Sequence, residues 1–362
     1  MIHVFIGTKA QYIKTAPILR QLDAESVPYN LIDSGQHAAF SRTLRGELRV
    51  REPDAALRVG DDIATLGAAG AWMAKALGYG LFRPAHLKRS LFRGEGGICL
   101  VHGDTPTTLV AAVLARRAGL RVAHVEAGLR SYDYLNPFPE ELIRVLVMRW
   151  SDVLFAPSEW AAANLARMGL GDRCVRVSGN TALQALAFSL QGAPVGRRPF
   201  ETYGLATIHR VENLHRYGRL ATIVSLLLEL SARRPLVFVL HPATEARLER
   251  LGLLSRLRGH ERIRLLPLLP HNEFVHLLQG ADFVVTDGGS VQEECASLGK
   301  PCLLMRSATE RRDGLGASVR LSGLSRTAVG EFVDCLGTLA SPREPMVGDP
   351  AGTIVDHLRP YQ

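Results

Sequence analysis

A chain of 362 residues is long enough for two ordinary domains, each with its own core. Its 47% hydrophobic content is that of a globular protein, and no apolar run reaches the ~18–20 residues that cross a bilayer. The net charge of +8 is spread along the chain without a basic tail or an RNA-binding signature, which points away from nucleic acid and membranes and towards a small anionic substrate.

The segment Met1-Ile-His-Val-Phe-Ile6 enters a strand pattern directly, with no charged leader, so a cytoplasmic location is expected. Short apolar runs then alternate with helical patterns to the end of the chain, as in βαβ units with parallel sheets. The first half offers strands at His3–Ile6, Tyr29–Asp33, Ile98–Val101, Arg121–Val125 and Val153–Ala156. Helices are expected between them at Lys14–Asp23, Ile63–Leu77, Thr107–Ala118, Glu140–Trp150 and Ala161–Met168, while Ser41–Asp62 has no clear period. The second half offers strands at Gly204–Thr207, Leu236–Leu240, Ile263–Leu266, Phe283–Thr286 and Cys302–Met305. Its helices are expected at Leu220–Ala232, Ala243–Leu254, Asn272–Gln279 and Val291–Ser297. A linker is expected near 180–200, around Gly192-Ala-Pro-Val-Gly-Arg-Arg-Pro199. Domains of 1–180 and 181–345 follow, with a tail at 346–362, and the cleft between the two halves is where ligand sites often lie.

Two motifs carry most of the chemistry, Val101-His-Gly-Asp-Thr-Pro-Thr-Thr108 and His124-Val-Glu-Ala-Gly-Leu-Arg130. Each closes a buried-strand pattern and places a carboxylate, Asp104 or Glu126, just past the strand's carboxyl end, where open α/β sheets form their ligand crevice. A third acid pair, Glu140-Glu141, follows Pro139. Convergent acids suit proton transfer. Each also has a plainer reading. Asp104 can cap the helix that follows, Glu126 can be neutralised by Arg130 or His124, and Glu140 can favour a helix N-terminus. In the second half, His209-Arg210 and Glu212 follow a strand, and Asp287-Gly288-Gly289-Ser290 makes a glycine turn into a helix, where backbone N–H groups can hold phosphate. The densest basic cluster is Arg306 with Arg311-Arg312. Cys99, Cys174, Cys295, Cys302 and Cys335 lack metal-ligand spacing and read as buried free thiols. With no metal constellation and no strand-linked Gly-x-Gly-x-x-Gly, neither a metal nor a redox cofactor is expected.

These motifs resemble the UDP-N-acetylglucosamine 2-epimerase family, and the likeness runs through nearly the whole chain. It rests on Gly7-Thr-Lys-Ala-Gln-Tyr-Ile-Lys-Thr-Ala-Pro17, the His124–Arg130 motif, Pro139-Glu-Glu141, Gly179-Asn-Thr181 and His209-Arg-Val-Glu212. It continues in Thr286-Asp-Gly-Gly-Ser-Val-Gln-Glu-Glu294, Leu298-Gly-Lys-Pro301, Met305-Arg306 and Thr309-Glu-Arg311. The resemblance implies two Rossmann-like domains of the glycosyltransferase-B type, an active site in the interdomain cleft, and a C-terminal helix, roughly Gly352–Tyr361, packed on the N-terminal domain. It implies a homodimer that interconverts UDP-N-acetylglucosamine and UDP-N-acetylmannosamine. Expelling UDP from C1 makes the C2 proton removable, and a glycal forms. Proton return to the opposite face, followed by UDP, completes the inversion.

In these terms Asp104, Glu126, Glu140 and His209 are the implied catalytic residues. Lys9, Lys14, Arg144, Arg210, Glu212, His241, Gly288, Gly289, Ser290 and Arg311 are implied to bind the substrate, with Phe274 on the uracil and Glu294 on the ribose. Gln36 and His37 resemble a segment that contacts a second UDP-sugar in some members. Lys9, Gln11, Arg312 and the Asp-Gly-Gly-Ser order depart from the usual pattern, and a lysine lacks arginine's bidentate fork. A hydrolysing relative, an epimerase of a modified sugar, a glycosyltransferase of the same fold and an inert UDP-sugar sensor are the alternatives.

Overall fold

The computed structural model describes every residue except His37, 58–65, 135–137, 193–198 and 340–347. The chain forms two compact units, Met1–Ala185 with Val347–Gln362, and Leu186–Met346. Among the described residues, no helix is long and apolar enough to cross a membrane.

The N-terminal unit is built on β1 (Ile2–Ile6), β2 (Tyr29–Asp33), β3 (Ala55–Ala56), β4 (Ile98–His102), β5 (Arg121–Val125), β6 (Val153–Ala156) and β7 (Cys174–Arg176). They form one sheet in the order β3-β2-β1-β4-β5-β6-β7, and every pairing is parallel. β1, β2 and β4 are buried along their whole length, because helices cover both faces of a parallel sheet. The strand order reverses between β1 and β4, which opens a crevice at their carboxyl ends. Thr8 and Gln11 form a capping box at the helix Lys9–Ala24, and Thr105 and Thr108 form one at Pro106–Arg117. The C-terminal helix Pro350–Leu358 belongs to this unit, where Ala351, Ile354, Val355 and Leu358 share a core with Ile18, Leu19 and Leu22.

The C-terminal unit repeats the plan with β8 (Gly204–Thr207), β9 (Leu236–Val239), β10 (Ile263–Leu266), β11 (Phe283–Thr286), β12 (Cys302–Leu304) and β13 (Val319–Leu321). Its parallel order is β10-β9-β8-β11-β12-β13, so this sheet reverses between β8 and β11.

Some expectations are corrected. Residues 181–190 of the anticipated linker form the helix Thr181–Leu190, held by buried Ala182, Ala185 and Leu186; 193–198 lie outside the described residues. The single helix expected over Ala243–Leu254 is two, Pro242–Arg250 and Leu254–Arg258, separated where Gly252 takes φ +67°. The first helix begins at Lys9 rather than Lys14, at its capping box.

Candidate active site

In the N-terminal unit the predicted residues gather at strand carboxyl ends. Glu126 follows β5, is 5% exposed, and holds the left-handed backbone at φ +65°. A non-glycine residue held there stores strain of a kind that recurs at functional sites. Lys14 Nζ donates to both carboxylate oxygens, at 2.8 and 2.7 Å, and Asn180 Nδ2 donates to Oε1. His102 Nε2 lies 3.8 Å from Oε2. The partners named from sequence, Arg130 and His124, are engaged elsewhere. Arg130 pairs with Glu141, and His124 Nε2 sits 2.7 Å from the Gly103 carbonyl. Burial lowers the His124 imidazole to about 4, so it is neutral, and the proton on Nε2 holds the Gly103 turn in place.

Asp104 follows β4 and is bound by Arg144 Nη2. It does not cap the next helix. Thr105 does so, its hydroxyl accepting from the Thr108 N–H at 3.3 Å, and the Asp104 carboxylate is left to the arginine and the crevice. Glu140 and Glu141 open the helix Glu140–Trp150, and the completely buried one is Glu141. Lys9 begins the first helix and is half-buried. Gln36 is buried after β2 and accepts from Thr107 Oγ1 at 2.8 Å; His37 lies outside the described residues. Gln11 ties two strand ends together. Its Oε1 accepts from the N–H groups of Gly7 and Thr8 at 3.0 and 3.1 Å, and its Nε2 donates to the His102 carbonyl at 2.9 Å.

In the C-terminal unit the same sheet edge carries different chemistry. Asp287, after β11, is fully buried and accepts from the backbone N–H groups of His209 and Arg210, both at 3.0 Å, and from Asn213 Nδ2 at 2.9 Å. It thereby fixes the loop after β8. His209 keeps its side chain 41% exposed. Gly288 caps the helix Gly289–Ser297, and a Cβ there would stand 2.9 Å from His209 Cε1. Arg210 reaches Glu310 at 3.2 Å and Glu212 at 3.7 Å. Arg311 is buried, with Nη1 2.6 Å from Glu293 Oε2. Ser290 is half-buried in the first turn of that helix, and Glu294, one turn on, is buried rather than on the helix surface. His241 is exposed at the start of the helix Pro242–Arg250, its ring 6.2 Å from that of His209, and Phe274 lies half-buried on His271–Gly280.

His102, Asn180, Asp287 and Glu310 were not singled out from sequence, although every one stands inside a motif that was, and Glu141 was named only as the second member of the acid pair. Their signal is a polar residue at or just beyond the carboxyl end of a buried strand, or in the motif that follows it.

A model of the UDP-N-acetylglucosamine 2-epimerase family matches residues 20–346. The UDP-N-acetylglucosamine 2-epimerase of Methanocaldococcus jannaschii is 33% identical over 321 residues, which cover 85% of this chain and 84% of the relative. The UDP-2,3-diacetamido-2,3-dideoxy-D-glucuronate 2-epimerase of Pseudomonas aeruginosa is 31% identical over 313 residues, or 84% and 83% of the two chains. The crystal structure of the M. jannaschii enzyme in complex with UDP-GlcNAc and UDP matches with a TM-score of 0.84 at 29% identity, over 100% of this chain and 99% of that one. Fold and likeness together define an α/β enzyme of two parallel-sheet domains with the glycosyltransferase-B-like fold. The chain belongs to the UDP-N-acetylglucosamine 2-epimerase family.

Proposed function

We propose that this chain interconverts UDP-N-acetylglucosamine and UDP-N-acetylmannosamine and returns UDP to the sugar instead of releasing both. The observation that carries the reading is the pair of carboxylates at adjacent strand ends, Glu126 held by Lys14 and Asp104 held by Arg144. A binding site for a sugar diphosphate has no need of such acids, whereas proton transfer at C2 does.

The C1–O bond breaks and its electrons leave with UDP. An ionised carboxylate of the Asp104, Glu126 and Glu140 group takes the C2 proton as base, and the C–H electrons become the C1–C2 double bond of the glycal. Proton delivery to the other face of C2 and return of a phosphate oxygen to C1 close the cycle. His209, Arg210 and the N–H groups at Gly289 and Ser290 stabilise the departing diphosphate, where fixed donors are most effective. Lys9 and Arg311 assist them, Glu294 takes the ribose hydroxyls, and Phe274 lies against the uracil.

The test is an incubation with UDP-N-acetylglucosamine in heavy water, followed by NMR of the anomeric and C2 protons. The expected result is a mixture of both UDP-sugars with deuterium at C2. Epimer with protium retained at C2 would rule out elimination. Free N-acetylmannosamine with UDP would make the enzyme hydrolysing. The Pseudomonas relative makes a diacetamido uronate the competing substrate. Turnover of that sugar alone would replace UDP-N-acetylglucosamine in the reading.

A further inference from the structure

We propose that Glu141 is a positioning residue for this reaction, acting through Arg144 on Asp104; the inference rests on the role proposed above for Asp104. Glu141 is completely buried and accepts four hydrogen bonds. Its Oε1 takes Arg130 Nε at 2.5 Å and the Tyr132 N–H at 3.3 Å. Its Oε2 takes Arg144 Nη1 at 2.6 Å and the Ser131 N–H at 3.1 Å. The other terminal nitrogen of Arg144, Nη2, holds Asp104. One planar guanidinium is therefore gripped by two carboxylates. The deep one fixes its plane, and the outer one, 30% exposed, is the acid at the crevice.

Glu141 also fixes the backbone at Ser131 and Tyr132. Tyr132 holds a left-handed φ of +61°, its ring lies 4.7 Å from the Arg130 guanidinium, and its hydroxyl donates to Asn164 Oδ1 at 2.7 Å. A loop bent this way stays bent because Glu141 takes the N–H groups of Ser131 and Tyr132. All four bonds need an acceptor. A glutamine would turn one oxygen into a donor facing N–H groups, so Glu141→Gln loses two of them and releases one arginine.

The test is a double-mutant cycle with Asp104→Asn. Glu141→Gln is expected to lower kcat ~10–10²-fold per folded molecule, the usual effect of removing a partner that orients a functional side chain, with KM nearly unchanged. In the Asp104→Asn background the same change should cost less than ~2-fold, because both act through one link. Should the glutamine variant not fold, Glu141→Asp, which keeps the charge and shortens its reach, enters the same cycle. Factors that multiply, or a kcat per folded molecule that stays normal while the melting point falls, would make Glu141 structural only. A second readout needs no turnover. The Arg144 guanidinium ¹⁵N signals, distinct while both partners hold the group, should average in Glu141→Ala, which removes the oxygen that accepts from Arg144 whichever way an amide would have turned. Inert wild type would sink the substrate reading, whereas unchanged Arg144 signals would sink this inference.

Discussion

In the N-terminal unit the carboxylates at the strand ends meet side-chain cations, Glu126 with Lys14 and Asp104 with Arg144. In the C-terminal unit the carboxylate just past β11, Asp287, meets backbone N–H groups and an amide instead. Both units offer the same scaffold, a parallel sheet with its crevice where the strand order reverses. The difference lies in what the acid does. In the first unit it is held by a side-chain cation just past the strand's carboxyl end. In the second it is a bracket that holds the His209–Arg210 loop against the glycine turn, and the His209 side chain stays 41% exposed beside it. One architecture thus places a cation-paired carboxylate at the strand ends of one copy and an N–H-bound one in the other, and the proposed division of proton transfer from leaving-group stabilisation follows that change of partner.

The sharpest way to break this comparison is to neutralise the acids of the first unit. Asp104→Asn and Glu126→Gln should each lower turnover by ~10²–10⁴ and leave UDP affinity nearly intact, since an amide keeps the size of the group it replaces. Turnover and calorimetric UDP titration on the same samples decide it. Normal turnover with a lowered melting point would make the acids structural. In the second unit, His209→Ala and Arg210→Ala should each cost ~10²–10³ in rate, the effect of removing one fixed electrostatic group. Here the loss should be smaller for substrates whose leaving group carries less charge. Equal losses for all leaving groups would remove these two residues from the diphosphate.

Much of this division was legible in the sequence. Tyr29–Asp33, Arg121–Val125 and Phe283–Thr286 are observed with their expected bounds, because strands buried on both faces read as predominantly apolar runs. β3, β7 and β13 were missed; they have two or three residues each, and none is buried throughout. The site motifs were legible as a set, but their pairings were not. Lys14 and Glu126 are 112 residues apart, and only the sheet order brings them together. The sequence offered Asp104 as a cap because Asp is a good cap; Thr105, one residue on, competes for the same N–H groups and takes them.

Acidification should also separate the two units. Burial lowers both His3 and His124, in the N-terminal unit, from 6.5 to about 4. Between those values the unfolded chain binds protons that the folded one refuses. This contribution is complete above pH ~6.5 and falls away as the pH drops to ~4, by about 3 kcal/mol for each imidazole. All three tryptophans, Trp72, Trp150 and Trp160, lie in this unit, so their fluorescence reports on it alone. The tryptophan-detected melting point should fall steadily from pH 7 to 4.5, and His124→Gln should flatten part of that slope. An unchanged slope in the variant would show that His124 is not held neutral.

The smallest expected effect tests how closely the second unit's loop and glycine turn are fitted. Gly288 has φ −87°, which any residue can adopt, so a substitution there meets no backbone penalty. Its constraint is space, since an alanine Cβ would stand 2.9 Å from His209 Cε1. The atom in the way is the edge of a half-exposed ring, which can swing aside where a backbone could not. Gly288→Ala should therefore leave the melting point almost unchanged and move the imidazole off the diphosphate position. Forcing a side chain from its preferred rotamer costs ~0.5–1.5 kcal/mol, or up to about tenfold in an equilibrium. The expected result is UDP binding weakened by about that factor, measured by calorimetry, and no further loss when Gly288→Ala is added to His209→Ala. A full tenfold loss in the double variant would mean that the glycine is needed by the phosphate itself and not by the histidine.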